Sequence, residues 1–134
     1  MRGFIKGLML GLVLLAGGTA SAATRREACR EYAQLDKALR SLSELPPGAP
    51  VPELKQAERN VAVSFHRFSE AAMPYAGPQM GDLKRSIHEL DEATQNIPPN
   101  ASRVEAHALI ARDVTNVQIA KNGVLQSLGC TEMR

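Results

Sequence analysis

Leu45-Pro46-Pro47-Gly48-Ala49-Pro50-Val51-Pro52 places four prolines within seven positions, and no helix continues through such a run. Working outward, the residues before it repeat their apolar positions at steps of three and four: Ala28, Tyr32, Leu35, Leu39 and Leu42. That spacing predicts one apolar stripe on a helix. After it, Pro52 suits the first turn of a second helix, whose stripe reads Leu54, Ala57, Val61, Phe65, Phe68 and Ala72. Pro74 is expected to end this helix, with Tyr75-Ala76-Gly77-Pro78 as a loop.

A third, shorter helix follows with Met80, Leu83, Ile87, Leu90 and Thr94 on its stripe, and Ile97-Pro98-Pro99-Asn100 stops it. Ser102-Arg103-Val104-Glu105 is a capping box that opens the last helix, striped by Ile110, Val114, Val117, Val124 and Leu128. Gly129 stands where a left-handed C-terminal cap belongs. No strand-like alternation competes, and no internal sequence repeat is evident. Short connections favour antiparallel neighbours, so the expected fold is all-α: an antiparallel up-down-up-down four-helix bundle.

The start of the chain reads as an export signal. Arg2 and Lys6 flank an uncharged stretch rich in Leu, Val, Met and Gly, and Ala20-Ser21-Ala22 has the small-residue pattern of a cleavage site. The apolar stretch is shorter than the ~20 residues a spanning helix needs. Residues 1–22 are therefore expected to be a cleaved secretory signal and 23–134 a single bundle domain, periplasmic or secreted, with no stable membrane insertion after cleavage. Thr24-Arg25-Arg26-Glu27 would form a capping box at the new N-terminus. Removing Arg2 and Lys6 from sixteen basic residues leaves fourteen, against fourteen acidic ones. That balance offers no electrostatic footprint for nucleic acid.

Export makes the two cysteines informative. Cys29 and Cys130 stand near opposite ends of the chain. In an up-down-up-down bundle the start of the first helix and the end of the fourth lie together, so an N-to-C-terminal disulfide is predicted. Neither cysteine has the C-x-x-C setting of a redox site or the C-x-x-C-H of covalent haem. Setting the two cysteines level places Lys121, which interrupts the fourth stripe, near Asp36. An interhelical Asp36–Lys121 ion pair is predicted on that register.

The readings for chemistry are sparse. Paired Glu-x-x-His motifs of a di-iron bundle are absent. His88-Glu89-Leu90-Asp91-Glu92 departs from H-E-x-x-H at its last ligand and falls on the solvent face, as does His66. Met80 and His107, both near apolar stripes, are the residues a haem- or metal-binding bundle would use. Leu109 and Ile119 lie off the fourth stripe and are candidates for a partner surface. No catalytic, cofactor or metal residues are assigned. The expected function is protein–protein binding, inhibitor- or adaptor-like, with another exported or envelope protein as partner. A haem or metal bundle is the alternative, and a small all-helical enzyme using Lys121 stands third. The 46–52 run is expected to be a stiff connector rather than a polyproline ligand.

Overall fold

The computed structural model describes residues 25–130; the expected signal segment, its cleavage site and the Thr24 cap lie outside them. All regular structure among these residues is helical. Helix α1 occupies residues 25–43. A helical span Val51–Gln95 is interrupted at Gly77, whose φ of 54° and ψ of −144° are not helical. Its two limbs, residues 51–76 and 78–95, are α2 and α3. Helix α4 is Arg103–Leu128.

The interruption differs from the expected loop. Pro74 lies inside the helix instead of ending it. Its ring fixes φ near the helical value, so the chain keeps turning although one backbone donor is lost. The break comes at Gly77, because Pro78 disfavours the α region for the residue before it. Only glycine adopts this backbone cheaply. A Cβ built there would meet only Gln79 Oε1, at 3.7 Å, an ordinary contact. The cost of Gly77→Ala is therefore one of backbone strain, about 1–3 kcal/mol, and is to be read as a lowered urea midpoint with an unchanged m value.

The predicted stripes supply the core. Ala28, Tyr32, Leu35, Leu39 and Leu42 from α1 are buried, as are Leu54, Val61, Phe65, Phe68 and Ala72 from α2. Leu83, Ile87, Leu90 and Thr94 from α3 join them, with Ile110, Val114, Val117, Val124 and Leu128 from α4. Tyr32 meets Phe68 edge-on, with ring centroids 5.6 Å apart, which ties α1 to α2. Ser102 caps α4 by accepting from the Glu105 amide at 3.1 Å. Gly129 closes it in the left-handed region, its amide donating to the Leu125 carbonyl at 3.2 Å. The four helices form the antiparallel bundle, and Cys29–Cys130 links its first and last helices with Cα atoms 5.7 Å apart.

A repeat invisible in the helices emerges in the connections. The amides of Ala49 and Ala101 donate to the carbonyls of Pro46 and Pro98, at 2.9 and 3.0 Å. Leu45 and Ile97 donate to Leu42 and Thr94, both at 3.3 Å. Pro50 and Ser102 have the same extended conformation before α2 and α4. Among the described residues, Gly77 and Gly129 are the only ones with positive φ. Every one of these pairs is 52 residues apart. The bundle is thus two helical hairpins of one design, α1–α2 and α3–α4. The repeat escapes sequence inspection because identity survives only where backbone geometry demands it: Pro46/Pro98, Pro47/Pro99, Ala49/Ala101, Glu53/Glu105 and Gly77/Gly129. A helix interior needs only periodic apolarity, which many residues supply.

Two consequences follow for the ends of the bundle. At one end, Gly77 joins α2 to α3 and the disulfide joins α4 to α1, so that end is closed covalently. Arg25 also lies over the Tyr75 ring there, 5.1 Å from its centroid. The other end carries the turns 44–50 and 96–102, and no covalent link joins one hairpin to the other. The proline-rich turn folds back on itself and buries Ala49, so it is a connector.

Candidate functional site

Midway along the α1/α4 seam, Tyr32, Asp36, Arg40 and Lys121 are paired with one another. Lys121, only 9 % exposed, donates its Nζ to Asp36 Oδ1 and lies 5.5 Å from the centre of the Tyr32 ring. Asp36 Oδ2 accepts from Arg40 at 2.6 Å. The Tyr32 hydroxyl donates to the Lys121 carbonyl at 3.2 Å. Burial, reinforced by the Asp36 charge, pushes the Tyr32 phenol well above its usual pKa, so it remains a donor. Tyr32 and Lys121 are each held by the facing helix, and Asp36 by both Lys121 and Arg40, which makes this cluster a register device. Lys121 is therefore paired across the seam rather than free.

The other expected site residues are scattered. His107 is in the first turns of α4, beside the 96–102 turn, whereas Met80 is beside Gly77. About fifteen residues of α3, roughly 22 Å of helix, separate their levels. The two do not form an axial pair. Among the described residues no group of three or more His, Cys, Asp and Glu side chains converges. His66 and His88 are exposed and bridge Glu70 and Glu92 one turn on, at 2.9 and 2.8 Å. Leu109 and Ile119 are 48 % and 66 % exposed. Ten residues separate them, about 15 Å along α4 and about 80° around it, so they do not form one patch.

A depression of about 450 Å³ between α3 and α4 includes Ile119, Gln79 and Gly123, toward the Gly77 end; the clefts that both hairpins build from α1/α4 and α2/α3 lie at the turn end. A cleft of about 330 Å³ lies at the α1/α4 seam, lined by Leu42, Leu45, Leu54, Ile110 and Val114, with Thr115 and Gln118 at α4. His107 also lines it, and its Nε2 is buried without a hydrogen-bond partner. A second cleft of about 330 Å³ lies at the α2/α3 seam, lined by Lys55, Glu58, Arg59, Asp91, Thr94 and Gln95. The two are counterparts under the 52-residue offset: Leu42 corresponds to Thr94, Ile110 to Glu58, and His107 to Lys55. One fold position thus carries opposite chemistry in its two copies.

Glu58 is the residue that the stripe reading missed. It is 5 % exposed and its carboxyl hydrogen-bonds to Asp91 across the seam. Burial first, then the Asp91 bond and charge, raise its pKa from 4.5 to about 8, against a smaller lowering by Arg59. Its position is readable: Leu54, Glu58, Val61, Phe65, Phe68 and Ala72 keep strict steps of four and three, whereas the expected stripe takes Ala57. The pKa is raised on folding, so the proton held by Glu58 stabilises the fold fully below pH 4.5 and is lost as pH rises through 8. Stability is expected to fall across that window by at most about 1.4 kcal/mol per pH unit. Thermal unfolding followed by circular dichroism checks this, and Glu58→Gln should flatten the profile.

No protein-family model matches the chain, and comparison with curated proteins and with solved structures finds no match. The class defined by fold and site is a disulfide-closed bundle of two like hairpins with unlike clefts at its open end. No described helix is long and apolar enough to cross a membrane.

Proposed function

We propose that this chain is an exported helical-bundle module, periplasmic or secreted, that acts by binding another exported or envelope protein rather than by catalysis. The observation that supports it is the pair of clefts at the turn end. Both hairpins contribute to each cleft, and the interior cation is consumed by the Asp36 pair. A surface assembled from the rims of two hairpins offers recognition, with clefts that accept anchoring side chains. An adaptor or inhibitor fits a rigid scaffold of this size.

Photo-crosslinking tests this. A crosslinker at Ser43 or Thr115, on the rim of the apolar cleft, should trap one discrete partner in an envelope extract. One at Arg30 or Asn122, toward the closed end, should not. Equal labelling from both ends, or none, counts against the reading. The same preparation should yield a mature chain beginning at Ala23, seen by intact mass.

A second reading has its own observation, the unpartnered His107 Nε2 inside an apolar cleft. A small amphiphile would place its apolar body against Leu42, Ile110 and Val114 and its polar head on the imidazole. Native mass spectrometry of the purified protein distinguishes this, since His107→Leu should abolish any such adduct while leaving partner crosslinks from Ser43 intact.

A further inference from the structure

The two hairpins act as internal controls for one another. Where α1 and α4 meet at the turn end, the fold uses Leu39, Leu42 and Ile110, all buried. At the corresponding positions of α3 and α2 stand Asp91, Thr94 and Glu58. The same backbone design therefore accepts apolar side chains at these three positions, and the α2/α3 seam carries polar ones instead. Buried polar groups cost stability relative to well-packed apolar side chains, so this seam departs from what folding alone requires.

Its location gives the departure a mechanical meaning. The α2/α3 seam is closed at the far end by Gly77, and at the turn end the Glu58–Asp91 contact bridges it. The α1/α4 seam has the disulfide at its far end and the Lys121–Asp36 pair along its length. Arg103 adds a bond from the start of α4 to the Gly48 carbonyl, at 3.0 Å. The α2/α3 seam is thus the one equipped to open while the rest of the bundle stays shut.

We propose that Glu58 and Asp91 form a proton-operated latch: with one proton shared between their carboxyls the turn end of the α2/α3 seam is closed, and loss of that proton lets the seam part. In the closed form the Glu58 hydroxyl donates to the Asp91 carboxylate. Asp91 also accepts from Gln95 Nε2 at 2.9 Å, which holds it in place. Thr94 bonds its own helix, donating to the Leu90 carbonyl at 2.8 Å, so it does not compete. The charged groups facing Glu58 are Asp91 from α3, and Lys55 and Arg59 from its own helix; no charged side chain of α1 or α4 lines this cleft among the described residues. Deprotonation sets two carboxylates against each other at a buried contact. Separation of the helices exposes both to water, where each ionises freely.

Hydrogen exchange of the intact, oxidised protein tests the latch, with rates corrected for the pH dependence of intrinsic exchange. Between pH 5.5 and 8.5, opening of residues 51–60 and 91–100 should increase more than tenfold, while residues 28–35 and 117–128 stay protected. Glu58→Gln, which keeps a donor toward Asp91 but does not titrate, should hold both segments closed across the range. A second variant copies the first hairpin: Glu58→Ile with Asp91→Leu and Thr94→Leu. It should be insensitive to pH and at least as stable as the parent. Uniform exchange at every pH in the parent chain, or pH-dependent opening that survives both variants, overturns the proposal.

Discussion

Reducing the Cys29–Cys130 bond, or replacing both cysteines by serine, is expected to lower the free energy of unfolding by about 4–5 kcal/mol, the largest effect of any single covalent change. The bond closes a loop of 101 residues, nearly the whole described chain. It therefore restricts almost every conformation of the unfolded chain. Its contribution is also local, because it closes the α1/α4 side of one end, opposite Gly77 on the α2/α3 side. Urea unfolding with and without reductant measures the loss. The helices should persist at low denaturant, since the stripes that bury them do not involve the sulfur atoms. Exchange at residues 28–35 and 117–128 should accelerate first. An unchanged midpoint would show that the terminal helices are held by packing alone.

The second large effect concerns Asp36 and Lys121, and it is asymmetric. Asp36→Ala leaves the Lys121 ammonium, 9 % exposed, without its partner. Stranding a buried charge costs about 3–5 kcal/mol; the Asp36 side chain is 24 % exposed, and that partial solvation reduces the expected loss to about 2–3 kcal/mol. Lys121→Met removes the cation instead. Asp36 then keeps Arg40 at 2.6 Å and its access to water, so the cost should be under about 1 kcal/mol. Asp36→Leu combined with Lys121→Met should recover close to parental stability, because an apolar pair fits between Tyr32 and the α4 stripe. A double-mutant cycle by chemical denaturation measures the coupling. Equal losses from the two single variants would overturn this account.

The parts of the fold legible in the sequence were those set by local rules. The α1 stripe is buried residue for residue, and proline runs mark both turns. The Ser102 cap and the Gly129 terminator stand at their expected places. Proline punctuation and cysteine placement together led to the antiparallel register, which brought Lys121 to Asp36. Pro74 misled because a proline's effect depends on whether its neighbours resume the helix, and Gly77 rather than Pro74 carries the unusual backbone. Glu58 is absent from the expected α2 stripe, which takes its neighbour Ala57 instead. Periodicity places Glu58 inside, and only the partner across the seam reveals how its burial is satisfied. Met80 and His107 seemed a pair because helix faces can be read from spacing, whereas levels along the bundle depend on how the helices stack.

What the sequence determined by itself, then, was the number of helices, their inward faces and the covalent clamp, since each follows from backbone chemistry and the period of 3.6. The tertiary structure alone decided that the chain is two copies of one hairpin and that its two seams differ. Those facts depend on which residues meet across helices. A buried acid facing another acid, or an imidazole left without a partner, becomes visible only when distant segments are packed side by side.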